Sequence, residues 1–266
     1  MDSQQKLAAL VSMLADDDAD FADIRALVDE LGAGRDASLV PELRRVLAGC
    51  VDRGDWFGRD QIARVLYDLR GVEALPQLLR VAARDLGDDQ QSLGALIIDL
   101  LYVDRVRARA AVLEALADGD AALRRTALWA LGFVRERQDA ETLLRAAADP
   151  DPEIRAAAVG SADARAGRDS PELAVLRGAL ADPDPRVRIS AVAQLGHRGD
   201  AALAPVVAAM AGDPDRQVRA AVAEALGLSA GPGARVALER LAADRDEHVR
   251  GNATRALRRL DAVESR

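Results

Sequence analysis

The sequence predicts an all-α chain in which about eight helical hairpins stack as an α-solenoid, and three observations carry that prediction. Half of the 266 residues are hydrophobic but only 3% are aromatic, so Ala, Leu and Val supply the apolar surface, as close helix packing requires. A pair Asp-x-x-x-Arg recurs as Asp55/Arg59, Asp120/Arg124, Asp151/Arg155, Asp184/Arg188, Asp215/Arg219 and Asp246/Arg250. The last five copies are 31, 33, 31 and 31 residues apart, and the first precedes the second by 65 residues, two periods. An apolar stripe follows the pairs at offsets of 3, 7 and 11 from the aspartate, the spacing of one face of a helix.

Each repeat justifies two helices and a turn. Offset 3 holds Leu123, Ile154, Val187, Val218 and Val249; offset 7 holds Ile62, Ala127, Ala158, Ala191, Val222 and Ala253; offset 11 holds Leu66, Leu131, Leu195, Leu226 and Leu257. That stripe is the second helix. The first helix precedes the aspartate, as in "PELAVLRGALAD", "AALAPVVAAMAGD" and "ARVALERLAAD". The predicted hairpins run over roughly 3–32, 37–69, 72–102, 104–133, 139–163, 171–196, 200–227 and 232–260. In the turn "DPDPRVRISAVAQLG", Pro183 ends one helix, Asp184 caps the orphan N–H groups of the next, and Pro185 takes the first helical position. Arg188, one turn on, is placed to reach its own aspartate or the one in the adjacent repeat. Repeated along the stack, such pairs form a structural ladder.

These residues resemble HEAT repeats, in particular the short HEAT-like repeats of the phycobiliprotein lyase type. The resemblance rests on Asp151, Ile154, Arg155, Ala158; Asp184, Val187, Arg188, Ala191, Leu195, Gly196; Asp215, Val218, Arg219, Val222, Leu226, Gly227; and Asp246, Val249, Arg250, Ala253, Leu257. It is strong from about 104 to 260 and weak before 50. It implies a right-handed solenoid that is a scaffold without an activity of its own. It also implies that the turn Asp and Arg bond within and between repeats, and that the second helices line the concave side. Asp60, Arg64, Arg125 and Trp129 would then share one groove.

One array over 1–266 is expected, with divergent N-terminal repeats over 1–69, middle repeats over 72–133 and regular ones over 139–260. The third repeat is degenerate, with Gly87 and Gln91 where the pair belongs. The fifth has Gly160 inside its second helix and Ala162 at the leucine position, so a bend or frayed turn is expected before 171, either a hinge or ordinary repeat decay. Charge and aromatics are lopsided. Residues 1–133 carry 23 acidic and 16 basic side chains, net −7, against 21 and 20, net −1, in 134–266. Phe21, Trp56, Phe57, Tyr67, Tyr102, Trp129 and Phe133 all lie in the first half, which is therefore the better place for a partner. Phe21 and Phe57 read as core fillers. Trp129 does not: at offset 9 it is turned about 200° from the core position Ala127, so it should face outward. The candidate binding set is Trp129, Arg125, Arg64, Asp60, Trp56 and Tyr67.

Net charge of −8 opposes duplex nucleic acid and anionic membranes, and no apolar run is long enough to span a bilayer. Cys50 is the sole cysteine, so an internal disulfide and a cysteine zinc cluster are excluded and a reducing cytoplasm is expected. Lys6 stands alone against 35 arginines, a bias expected of a GC-rich bacterial genome. His197 and His248 lie far apart in repeat position, and Asp16 to Asp20 lacks the glycine and terminal glutamate of a calcium loop, so no metal or other cofactor is expected. No phosphate loop, zincin motif or nucleophile elbow occurs. The reading is a non-catalytic scaffold that binds another protein or a peptide on its concave face. The alternative is an enzyme or enzyme-accessory subunit, like the phycobiliprotein lyases or, through Asp60, Trp56 and Trp129, the alkylpurine DNA glycosylases.

Overall fold

The aspartates that open the repeated pairs are helix N-caps in the computed structural model, which describes residues 1–16, 18–84, 91–117, 120–163, 167, 169–229 and 231–264. Asp55 accepts from the Gly58 amide at 2.7 Å, Asp120 from Ala122 at 2.8 Å, Asp151 from Glu153 at 2.8 Å and Asp184 from Arg186 at 2.8 Å. Asp215 and Asp246 likewise accept from Gln217 at 2.7 Å and His248 at 3.0 Å. Each carboxylate satisfies an amide that the helix leaves orphaned and lies at the positive end of the helix dipole. Gly54 and Gly199, at φ of 68° and 65°, close the helices Val40–Arg53 and Pro185–Arg198 in the left-handed region that glycine enters without strain.

The chain divides into two compact units, Met1–Arg135 and Glu136–Arg266. The first contains α1 (Ser3–Leu14), α2 (Phe21–Gly34), α3 (Val40–Arg53), α4 (Trp56–Arg70), α5 (Leu75–Ala83), α6 (Gln91–Val103), α7 (Arg105–Ala117) and α8 (Ala121–Val134). The second contains α9 (Ala140–Ala146), α10 (Pro152–Gly160), α11 (Pro171–Ala179), α12 (Pro185–Arg198), α13 (Ala204–Ala208), α14 (Arg216–Ser229), α15 (Ala234–Ala242) and α16 (Glu247–Glu264). Short 3₁₀ turns introduce α3, α5, α9 and α13, and the described residues contain no strand. The architecture is all-α.

Within each unit the second helix of one hairpin packs on that of the next: α2 on α4, α4 on α6 and α6 on α8, then α10 on α12, α12 on α14 and α14 on α16. The apolar stripe is the core of that row. Leu123, Ile154, Val187, Val218 and Val249 are buried, as are Ile62, Ala127, Ala158, Ala191, Val222 and Ala253. Glycine sets the spacing at two contacts. A Cβ on Gly196 would come within 2.5 Å of Ala225 Cβ, and one on Gly227 within 2.8 Å of Ala256 Cβ. The helix α10 stops at Gly160, nine residues long where α12 and α14 run for 14. The bend expected after it falls largely on residues 164–166 and 168, outside the described residues, as do Gly87 of the degenerate third turn and Asp17 of the acidic cluster.

The ladder differs from the one expected. Its arginines do not take the capping aspartates. Arg155 donates from Nε and Nη2 to Asp182 at 2.8 and 2.9 Å, Arg188 to Asp213 at 2.9 and 2.8 Å, and Arg219 to Asp244 at 2.7 and 3.0 Å. Each acid belongs to the next repeat and lies two residues before that repeat's cap. The cap Asp184 is taken up at its own helix start, where it accepts the Arg186 amide at 2.8 Å and that arginine's Nε and Nη2 at 3.1 and 3.0 Å. The two aspartates of Asp-x-Asp therefore divide the work. Asp182, Asp213 and Asp244 also accept the amides of Asp184, Asp215 and Asp246 at 2.8, 2.9 and 2.9 Å, which orients them toward the arginine. The remaining nitrogen, Nη1, donates to the arginine's own turn: Arg188 reaches the carbonyls of Asp182 and Pro183 at 2.9 and 3.2 Å.

Two arginines of the first unit, Arg59 and Arg124, were expected to be rungs of the same kind, and Arg59 requires a correction. Arg124 is half-buried on α8, but its buried Nε makes no hydrogen bond, so the two-nitrogen grip through Nε and Nη2 is not formed there. Arg59 turns its Nε to Asp60 of its own helix.

Hydrogen bonds from Arg155 and Arg219 hold the Asp182 and Asp244 carboxyls below the usual range. A carboxyl depressed in the folded state stabilises it above the unfolded pKa of about 3.9 and loses that contribution as pH falls through the folded value. Stability of the full chain, read from urea midpoints, is therefore expected to be flat above about pH 5 and to fall below about pH 4. An Arg219→Ala chain should show a shallower fall.

Candidate functional site

The candidates taken from the sequence separate into two clusters on second helices of the first unit. In α4, the Arg59 guanidinium lies 5.4 Å from the Trp56 ring, and its Nε donates to Asp60 at 2.8 Å. Arg59 is fully buried, so Asp60 is committed to it. Further along α4, Arg64 bonds Asp68 at 3.1 Å and sits 5.3 Å from the Tyr67 ring. The Tyr67 hydroxyl donates across to Asp99 of α6, and that bond raises the phenol above its ordinary range, so it keeps its proton.

The second cluster is aromatic. Trp129 is 38% exposed and meets Phe133, one turn on in α8, with ring centroids 5.3 Å apart in an edge-to-face contact. Phe133 in turn meets Tyr102 of α6 at 6.4 Å, and Tyr102 is 55% exposed with Arg105 over its ring at 5.9 Å. Val103 and Val106, which follow Tyr102 in sequence, are exposed as well. Edge-to-face stacking holds these rings in place without burying them. Phe133, Tyr102 and Asp99 were missing from the sequence-based set. Phe133 carried a usable signal, because four residues from Trp129 puts it on the same helix face. Arg125 is half-buried on α8.

Phe21 and Phe57 require a correction. Both were expected in the core, yet they are 58% and 40% exposed and stack on each other at 5.5 Å at the starts of α2 and α4. At one and two residues past a cap, a side chain points away from the stripe. Arg186, Gln217 and His248 occupy the position of Phe57 in other repeats.

The groups that would serve catalysis are placed otherwise. Burial, reinforced by the Asp55 charge, pushes the Cys50 thiol up to about 11, which leaves no thiolate nucleophile at neutral pH. His197 is exposed in the last turn of α12, and exposed His248 donates its amide to the Asp246 cap. Among the described residues, no three His, Cys, Asp or Glu side chains are grouped to hold a metal ion. Asp16 accepts the Asp18 amide at 3.0 Å and Asp20 caps α2. In the second unit, the second helices carry an open groove of about 460 Å³, lined by Ile189, Gln217, Ala220, Glu224, His248 and Asn252. The offsets of Ile189, Gln217, Ala220, Glu224 and His248 match those of Phe57, Asp60, Arg64 and Trp129 in the first unit.

The repeat geometry agrees with a family. The model for HEAT repeats matches residues 86–163, 109–184 and 171–258, well over half of the chain. This chain belongs to the HEAT-repeat family. Among solved structures, an engineered protein is similar at 17% identity with a TM-score of 0.50, covering 95% of this chain and 77% of its own. YibA of Escherichia coli is similar at 17% identity with a TM-score of 0.50, covering 97% of this chain and 95% of its own. At that identity the likeness is one of fold. A search of curated proteins finds no match. In this HEAT-repeat protein the ladder and the glycine contacts account for the recurring residues, leaving the exposed aromatics of the first unit unexplained by the repeat. No helix among the described residues is long and apolar enough to cross a membrane.

Proposed function

We propose that this HEAT-repeat protein is a non-catalytic scaffold that binds another protein or a peptide on the second-helix face of its first unit. The observation that carries this is the cluster Tyr102, Trp129 and Phe133, with two rings exposed and each fixed by another ring. Folding does not require large aromatics at these positions, since the other repeats fill offset 9 with Arg64, Gly160, Ala193, Glu224 and Arg255. Rigid, partly exposed aromatics bring contact area with little side-chain entropy to lose, which is why they dominate the energetics of interfaces. The groove on the equivalent face of the second unit is consistent with the same use. Asp60 accepts from buried Arg59 at 2.8 Å, which favours the scaffold reading over a glycosylase-like one that needs a free acid.

A photo-crosslinking residue placed at Trp129 should capture one discrete partner from the native lysate. The same residue at Val236, 71% exposed on α15, should not. Capture at both sites alike, or at neither, would remove the proposal. Trp129→Ala is expected to weaken the captured complex by roughly 2 kcal/mol, about thirtyfold, with an unchanged melting temperature.

A further inference from the structure

The ladder does not end with its last internal rung. Arg250 is held as the other rung arginines are, with Nη1 donating to the carbonyls of Asp244 at 2.8 Å and Arg245 at 3.0 Å. Its Nε and Nη2 edge, which in Arg155, Arg188 and Arg219 grips an aspartate of the next repeat, has no partner among the described residues. The fork is oriented and open.

The same helix face blocks the occupant that the internal rungs use. Eight residues past the cap, Val159, Val192 and Ala223 are buried, but α16 has exposed Thr254. Twelve past the cap, Gly196 and Gly227 admit the following helix, but α16 has exposed Arg258, which no described residue pairs. A helix stacked in the internal register would collide with Arg258. The carboxylates nearby are already engaged: Asp244 by Arg219, Asp246 by the His248 amide and Arg216, and Asp261 by Arg235 at 2.7 Å. Glu247 is exposed on the first turn of α16, and exposed Arg255 and Arg259 add positive charge beyond it.

From this we infer that the open face of α16 is a docking site for an acidic peptide segment of a partner protein. One carboxylate takes the Arg250 fork as Asp213 takes Arg188, and a second meets Arg258. The two arginines lie eight residues apart on one helix face, about 12 Å. Carboxylates four residues apart in an extended segment span about 13 Å on one side of the chain, so that spacing fits. The site is separate from the aromatic face of the first unit.

The probe is a blocked octapeptide with two glutamates four residues apart, titrated at low salt into the full chain while the arginine Nε–Hε signals are followed by NMR. Saturable shifts of Arg250 and Arg258, absent with the glutamine counterpart, are expected. Arg250→Lys keeps the charge but loses the fork, and should weaken binding about tenfold or more. Arg258→Gln removes an exposed guanidinium that makes no hydrogen bond or ion pair among the described residues, so its loss of binding cannot be attributed to misfolding. Trp129→Ala should leave the titration unchanged. Equal binding of the glutamine peptide, or indifference to both arginine substitutions, would overturn the proposal. So would Arg250-dependent self-association without peptide, which would make a second copy the occupant.

Discussion

Arg219→Ala is expected to destabilise the chain by about 3 kcal/mol, a drop in melting temperature on the order of 10 °C by circular dichroism. The Arg219 and Asp244 side chains are only 6% and 10% exposed, so the pair is shielded from the screening that makes surface ion pairs weak. Removing the guanidinium leaves the largely buried Asp244 carboxylate without its counter-charge and takes the donor from the carbonyls of Asp213 and Pro214, at 2.9 and 3.2 Å. A single substitution therefore breaks both the bond between repeats and the clasp within one. The loss measures an abandoned charge more than the net worth of the pair. Arg219→Leu combined with Asp244→Asn should accordingly recover a large part of the stability, because no unpaired charge remains. If the double variant were no better than Arg219→Ala, the turn carbonyls would be the larger contribution. Arg145→Ala, in an exposed pair with Glu141, should leave the midpoint within about 0.5 kcal/mol.

Helices, caps and the core stripe were legible in the sequence because they depend on neighbours within one repeat. A 3.6-residue period places Val187, Ala191 and Leu195 on one face wherever the helix lies, and an aspartate before a proline at the first helical position caps whatever follows. The partner of each ladder arginine depends instead on how two repeats sit against each other. Asp182 and Asp184 are equally plausible acids on paper, and only the offset between α10 and α12 brings the former to Arg155. The recurrence of Asp-x-Asp at 149/151, 182/184, 213/215 and 244/246 was a signal that two aspartates were needed. In the candidate site, the outward turn of Trp129 follows from helical phase alone. The meeting of Phe133 with Tyr102 does not, because the two come from neighbouring hairpins. Phe21 and Phe57 show the weakness of composition as a guide: an aromatic next to a cap lies outside the stripe, whatever its hydrophobicity.

Gly196→Ala should destabilise the second unit by about 2 kcal/mol, although alanine is by itself the better helix former by about 1 kcal/mol. The added Cβ would lie 2.5 Å from Ala225 Cβ and 2.7 Å from Ala225 Cα. Because the second of those atoms is backbone, no rotamer change relieves the clash. The helices α12 and α14 must separate, and with them the rung from Arg188 to Asp213 that closes the same junction. Gly251 in α16 supplies the matched comparison, since a Cβ there meets nothing within 4 Å. Gly251→Ala should therefore raise stability by roughly 0.5 to 1 kcal/mol. The same chemical change in the same kind of helix thus acquires opposite signs, decided by whether another helix lies against it. Gly227→Ala, with contacts of 2.8 Å to Ala256 Cβ and 3.2 Å to its Cα, should fall between the two but remain destabilising. Urea midpoints that placed all three substitutions on the stabilising side would mean that the junctions yield without strain, and glycine would then not be setting the distance between second helices.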